Sequence, residues 1–253
     1  MGNQQFSKGD LYGKGTFTTV PCFAGSPFLW SKHWNRLCRD SEKIGVDISY
    51  YSEASVRSSL DEALAAAALT DGRARITFID ERPAELWSSE KSVGRKTTLS
   101  ILTGEARPAI EYFKLAISPF LVNSYSPLTG VKSCNYLEQI LSLDEAKGRG
   151  FHEAVRVNQL GYVTSGCMSN IFWLKNDWLY TPTLATGCLA GTTREYVLEN
   201  IQCEEVEAKI GELESADAIY LTSAGLGIVR VAEFDGRQLT KINHPIQTLW
   251  PPS

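Results

Sequence analysis

"GVKSCNYLEQ", residues 130–139, sets a lysine where a polar loop turns into an apolar helix. Lys132 stands between Val131 and the small residue Ser133, and the helix expected after it, "NYLEQILSLDEAKGRG" (135–150), has an outer face where a solvated lysine would serve as well. An amine drawn out of water at such a corner loses its proton more easily and becomes a nucleophile. Lys132 is therefore either a surface charge or the reactive group of a site, and the remaining sequence has to decide.

Outward from this corner the chain alternates helix and strand patterns in two halves. "LWSKHWNRLCRDSEKIGV" (29–46) repeats apolar groups at Trp30, Trp34, Leu37 and Cys38, the spacing of one helical face, with Ser31 as its expected cap. "SEASVRSSLDEALAAAAL" (52–69) is a second helix, closed by the turn signal Asp71-Gly72, and "RARITFID" (73–80) and "KTTLSIL" (96–102) read as strands. The polar stretch "TGEARPA" (103–109) reads as a linker, so the expected domains are 1–107 and 108–253, the second carrying Lys132. That half continues with strand-like "FKLAISPFLV", the loop "NSYSPLTG", the short strands "EAVRVN", "NIFWL" and "WLYTP", the helix "REYVLENI", and then "AIYLTSAG" and "GIVRVAEFDGRQL".

Composition narrows the classes. With 253 residues and 43% hydrophobic content the chain can bury one large core or two modest ones. A net charge of -4 without a basic cluster argues against a nucleic-acid partner. The longest apolar run, "ALAAAAL" (63–69), is far shorter than the roughly 20 residues of a spanning helix, so no membrane partner is expected. "MGNQQFSKGD" has no apolar signal region, and Gly2 with Ser7 is a poor myristoylation match, which points to the cytoplasm. Six scattered cysteines without C-x-x-C spacing and three distant histidines write neither a disulfide framework nor a metal site; Cys134 and Cys167 fall within motifs quoted below.

Two stretches of the second half suit a phosphate. In "GCLAGTTREYVLEN" Gly191, Thr192 and Thr193 stand where a helix begins, so backbone N–H groups, hydroxyls and the helix dipole converge. In "YLTSAG" (220–225) a strand ends in Thr222, Ser223 and small residues. Taken singly these read as an N-cap and a tight turn. Together with an interior lysine they match a phosphate-bearing aldehyde, which needs an amine for its Schiff base and fixed donors for its phosphate: pyridoxal 5′-phosphate.

The ordered set "YGKGTFTTV", "KHWNRL", "GVKSCNYLEQ", "GYVTSGCMSNIFWL", "TPTLATGCLAGTTR" and "YLTSAGLGIVRV" resembles the class IV aminotransferase family, whose members are branched-chain aminotransferases, D-amino-acid aminotransferases and 4-amino-4-deoxychorismate lyases. The resemblance spans nearly the whole chain. It implies an α/β fold of the α+β type, the two-domain D-amino-acid aminotransferase-like architecture, with the cofactor at the domain interface and usually a homodimer. It also implies that Lys132 holds pyridoxal 5′-phosphate covalently, that Arg36 pairs with the phosphate, and that Gly191, Thr192, Thr193, Thr222 and Ser223 face the same group. Ser165 and Asn170 of "SGCMSN" complete the cofactor-binding set, and His33 supports Arg36 from one turn earlier. Taken alone, Arg36 reads as an exposed helix arginine.

Three departures from the family pattern bear on the reaction. The usual E-G-x-x-S-N is here "SGCMSN", so Ser165 replaces the glutamate that faces the cofactor's pyridine nitrogen. A hydroxyl holds a proton on that nitrogen less strongly than a carboxylate, which weakens the electron sink and favours elimination over transamination. "GTFTTV" carries Thr18 where aminotransferases of the family commonly have glutamate, which is similar to the lyases. The strand that usually precedes this motif is missing, and "RITFIDERP" lacks the arginine-glycine turn of many relatives. The expectation is a 4-amino-4-deoxychorismate lyase of folate biosynthesis, in which Lys132 takes the proton from the amine-bearing carbon and returns it as the enolpyruvyl group leaves. Thr18, Thr19 and Cys134 would line its small-molecule pocket. The alternatives are an aminotransferase for branched-chain or D-amino acids, and a non-catalytic cofactor-binding paralogue.

Overall fold

A computed structural model describes residues 6–84 and 97–251. Gly2 and Lys96, named above, lie outside the described residues. The chain divides into two compact units, Met1–Ala106 with Val131–Tyr136, and Arg107–Gly130 with Leu137–Ser253.

The first unit contains α1 (Lys8–Tyr12), β1 (Gly15–Phe23), β2 (Ser26–Pro27), α2 (Trp30–Ile44), α3 (Glu53–Ala66), β3 (Gly72–Asp80) and β4 (Thr97–Glu105). Among the described residues its sheet runs β2-β1-β3-β4, all antiparallel. The period of two decides what each strand buries. Val20 and Cys22 of β1 and Ala74, Ile76 and Phe78 of β3 form one core with Leu37 of α2 and Val56, Leu60 and Leu64 of α3. The same face of β1 continues towards its start as Thr16 and Thr18, so that end meets α2 with hydroxyls.

Ser52 caps α3 by accepting from the Ser55 N–H at 3.1 Å, while its own N–H donates to Ser55 Oγ. Ser31 does not cap α2. The N-cap is Leu29, in left-handed backbone at φ 55°, without a side-chain bond, so Ser31 already lies in the first turn. The expected linker is also shorter than read, since Thr103, Gly104 and Glu105 complete β4.

In the second unit β5 (Phe113–Ile117), α4 (Leu137–Gly148), β6 (Glu153–Val157), β7 (Val163–Gly166), β8 (Asn170–Lys175) and β9 (Trp178–Pro182) are followed by α5 (Thr192–Asn200), β10 (Glu204–Val206), α6 (Ile210–Glu214), β11 (Ala218–Ser223), β12 (Gly227–Phe234) and β13 (Arg237–Gln238). The described strands run β10-β9-β8-β11-β12-β5-β6-β7, with β13 paired to β12. "NIFWL" and "AIYL" are apolar throughout because the sheet is covered on both faces. Ile171, Trp173, Ile219 and Leu221 enter one core, and Phe172, Leu174, Ala218 and Tyr220 enter another with Val197 of α5. No helix among the described residues is long and apolar enough to cross a membrane.

Lys132 differs from its expected domain: its segment packs with the first unit. Phe17 N–H donates to Lys132 O at 3.0 Å and Cys134 N–H to Gly15 O at 2.8 Å, around a bridge between Thr16 and Ser133. A short piece of chain from the middle of the sequence thus extends the edge of β1, a pairing that no local pattern announces.

Candidate functional site

The Lys132 backbone has a further anchor, since its N–H donates to Asp40 Oδ2 of α2 at 2.9 Å. With the segment fixed, the amine reaches the side of β1 opposite Thr18. It donates to the Tyr136 hydroxyl at 3.1 Å and lies 4.4 Å from the centroid of Phe17 and 4.6 Å from that of Tyr136. These rings meet edge to face, 5.2 Å apart, and Arg75 of β3 lies 3.6 Å over Phe17. Lys132 as a residue is only half-buried, yet burial of its amine is the main cause that brings its pKa down to about 7. The charges of Arg36 and Arg75 add to this, and Asp40 opposes it. Near neutral pH the amine is then substantially unprotonated, as a Schiff-base or general-base lysine must be.

Arg36 is not an exposed helix arginine. His33, Arg36 and Asp40 are all buried on α2, at spacings that put them along one side of the helix. The hydroxyl of Thr18, itself fully buried, joins two of them: it accepts from Arg36 Nη2 at 2.8 Å and lies 2.7 Å from His33 Nδ1. An arginine can only donate, so the hydroxyl accepts from Arg36 and keeps one hydrogen and a second lone pair, with which it meets Nδ1 in either ring tautomer. Burial, then the charges of Arg36 and Lys132, hold the His33 pKa well below its usual value, which keeps the ring neutral. His33 thus meets Arg36 through Thr18. The sequence reading gave Thr18 a place in the pocket wall and missed this link. Its only local signal was hydroxyl residues at alternate positions of a strand whose later residues are apolar.

In the second unit, Asn170 opens β8 directly opposite Thr222 of β11, so the two share the face that packs on α5. Gly191 is the N-cap of α5 and has no room for a side chain, because a Cβ there would come within 2.0 Å of Asn170 Oδ1. Asn170 Nδ2 donates to Leu189 O at 2.8 Å and holds the loop that enters the helix. Thr192 and Thr193 form the buried first turn. Ser223 Oγ accepts from the Leu226 N–H at 3.1 Å, closing the turn after β11 and leaving its hydrogen to donate.

Thr222 Oγ1 is fully buried and has no hydrogen-bond partner among the described residues. An unsatisfied buried hydroxyl costs about 1–3 kcal/mol. A phosphate oxygen would remove that cost. The orphan hydroxyl and, beside it, the helix N-terminus whose cap Gly191 packs against Asn170 are the donors that the expected phosphate requires, so the residues fit the group.

Ser165 is half-buried on β7, opposite Arg156 of β6. The predicted residues therefore fall into two sets, Lys132 and Arg36 within the first unit and the others within the second. Cys134 and Cys167 are not activated thiols: burial raises the Cys167 pKa to about 11, and it raises that of Cys134 as well.

The chain is similar to known proteins over nearly its whole length. A family model described as amino-transferase class IV matches residues 15–234. A protein of Methanocaldococcus jannaschii provisionally named a branched-chain-amino-acid aminotransferase is 30% identical over 243 residues, 92% of this chain and 82% of that one. The aminodeoxychorismate lyase of Bacillus subtilis is 28% identical over 258 residues, 97% of this chain and 87% of that one. A solved structure from Legionella pneumophila, provisionally named 4-amino-4-deoxychorismate lyase, has a TM-score of 0.86 at 27% identity, covering 96% of this chain and 91% of that chain.

Proposed function

We propose, because the chain belongs to the class IV aminotransferase family and is thereby a pyridoxal 5′-phosphate-dependent enzyme acting on small molecules, that its reaction is that of 4-amino-4-deoxychorismate lyase, releasing pyruvate and 4-aminobenzoate. The observation that carries this reading is Ser165. At the position where the family pattern has glutamate, the chain presents a neutral hydroxyl on β7, and its neighbour across the strands is a buried arginine. Neither group holds a proton on a pyridine nitrogen as a carboxylate does. The similarity of the chain to lyases of two organisms supports the same choice.

The residues that would hold the cofactor are Lys132, Arg36, Asn170, Gly191, Thr192, Thr193, Thr222 and Ser223, with Ser165 beside the ring nitrogen. When bound, the cofactor supplies an electron sink for a carbanion. Lys132 does the proton work. With a pKa near 7 its amine removes the proton from the substrate carbon that bears nitrogen, and the electron pair left there expels the adjacent enolpyruvyl oxygen, giving the aromatic ring. The same amine then returns its proton to the methylene carbon of the departing fragment, giving pyruvate. Phe17 and Tyr136 shield this amine from bulk water, and Arg75 is a cation beside it for a substrate carboxylate.

The aminotransferase reading is favoured by the identity to the M. jannaschii protein, which is as high as that to the lyases. Release of 2-oxo acids from a panel of L- and D-amino acids separates the two. A lyase releases them only slowly. Rapid amine exchange, with turnover sustained by an added 2-oxo acid, overturns the lyase assignment.

On this reading the enzyme works in the cytoplasm, in folate biosynthesis, with no nucleic acid or membrane partner, and as a homodimer. For the last, Leu137, Ile140 and Leu141 of α4 are exposed at one-turn spacing. Sedimentation of the full chain as a 28.0 kDa species would refute the dimer.

A further inference from the structure

The irregularity between β6 and β7 brings Arg156 and Ser165 together, neither of which moves a proton in the reaction above. Register runs from Val155 opposite Gly166 through Arg156 opposite Ser165 and then jumps to Val157 opposite Val163, leaving Thr164 as an extra residue. The Thr164 hydroxyl donates to Arg156 O at 3.0 Å and pins this bulge. Bulges of this kind re-aim the side chains beside them. Directly opposed residues of an antiparallel pair project to one face, so Arg156 and Ser165 share theirs. It is the α4 side, because Ala154 of β6 packs there with Ala146 of α4.

Arg156 is an unusual occupant of that face. It is 3% exposed. Its Nη2 donates to Leu121 O at 3.1 Å and to the carboxylate of Glu138, while its Nε–H is buried with no hydrogen-bond partner among the described residues. Glu138 is 60% exposed, so water screens its charge and the pair does not neutralise the guanidinium from the inner side. Glu153, the carboxylate of β6 itself, occupies the alternate position and accepts from Met168 N–H and the Ser169 hydroxyl, at 2.8 and 2.7 Å. A buried N–H without an acceptor is costly, and a ligand lone pair brought to this face would relieve it.

We infer that Arg156 and Ser165 together receive the cofactor's pyridine nitrogen as a hydrogen-bond acceptor and so keep it unprotonated. The inference rests on the proposed function, in that it takes Ser165 to stand beside that nitrogen. A serine hydroxyl alone is ambivalent, since it accepts from a protonated nitrogen as readily as it donates to a bare one. Arginine removes the ambiguity. A guanidinium has no acceptor and does not lose its proton in a protein, so a nitrogen facing Arg156 directly, or through the Ser165 hydroxyl, meets a cation and a donor. Its own protonation would then set two positive charges together. Arg156 thereby deepens the electronic change begun at Ser165: the charge that develops on substrate carbon is stabilised only briefly, long enough to expel a good leaving group and too weakly for the proton relocation of amine exchange.

The test is nitrogen-15 NMR of the full chain reconstituted with pyridoxal 5′-phosphate labelled at the pyridine nitrogen, from pH 6 to 8. The wild-type protein should show the shift of an unprotonated nitrogen throughout. Arg156→Leu combined with Ser165→Glu should show a protonated one, with the titration midpoint raised by about 1–3 units, the span expected for exchanging a nearby like charge for an opposite one. A protonated nitrogen in the wild type overturns the inference, and this measurement needs no variant to fold. An unprotonated nitrogen in a folded double variant also overturns it, because some other group would then be responsible. Failure of the wild-type chain to take up the labelled cofactor at all, seen as no yellow colour and no borohydride-stable label on Lys132, would instead strike at the proposed function.

Discussion

Replacing Thr18 by valine keeps the shape of the side chain and removes the hydroxyl that joins His33 to Arg36. Both contacts are short, 2.7 and 2.8 Å, and all three residues are buried. Stripping a buried polar group of a partner costs about 1–3 kcal/mol and more when charge is involved. Two such losses put the destabilisation of the apoprotein at about 2–5 kcal/mol. For a chain of this length that is a fall of roughly 5–15 °C in melting temperature. Because Arg36 is also the proposed phosphate partner, its loosened guanidinium should weaken cofactor binding about tenfold or more. Thr18→Ser restores the hydroxyl and should recover most of both. The assay is thermal melting of the apoprotein beside titration with pyridoxal 5′-phosphate. A valine variant that melts with the wild type would show that the hydroxyl bridges nothing of consequence. Lost stability with undiminished cofactor affinity would show that Thr18 does not position Arg36 for the phosphate.

The other predictions concern the two cofactor-facing sets. Thr222→Val should leave the apoprotein as stable or slightly more so, since it removes an unsatisfied buried hydroxyl, while cofactor affinity falls several-fold; parallel loss of both would mean that the hydroxyl already has a structural partner. Arg36→Lys keeps the charge but loses the two-pronged geometry, and equilibrium dialysis should find cofactor affinity reduced by about 1.5–3 kcal/mol, tenfold to a hundredfold. Capture of pyridoxal 5′-phosphate by the apoprotein, followed by absorbance, should quicken as pH rises through about 7, because only the neutral amine of Lys132 attacks; a midpoint near 10 would contradict the environment described for it. The same amine has an ordinary value of about 10.4 in the unfolded chain. The folded apoprotein therefore binds fewer protons between the two values and should gain stability as pH rises from about 7 towards 10.

What could be read in the sequence was local. α2 and α3 announced themselves by helical spacing, and the capping serine of α3 precedes its first turn. β8 and β11 were visible as short apolar runs. β7 was not, because "VTSG" is four residues with neither alternation nor an apolar run, and pairing with β6 makes it a strand. α1 was missed although its signal was present: Ser7 and Asp10 form a capping box over the five residues Lys8–Tyr12. At the candidate site, Lys132, Gly191 and Thr222 could be singled out from their motifs. The Thr18 bridge and the Arg156–Ser165 pair could not, since each depends on which residues a strand register or a helix face brings together. Lys132 itself was given to the wrong half because its segment bonds to β1, more than a hundred residues earlier in the chain.

The most direct test of the central claim is turnover of 4-amino-4-deoxychorismate by the purified, cofactor-loaded chain, with 4-aminobenzoate followed by fluorescence and pyruvate by a coupled dehydrogenase. The two products should appear in equal amounts, and Lys132→Ala should abolish both while the protein stays folded. No 4-aminobenzoate from a fully loaded enzyme that readily exchanges amines between amino acids and 2-oxo acids would contradict the account.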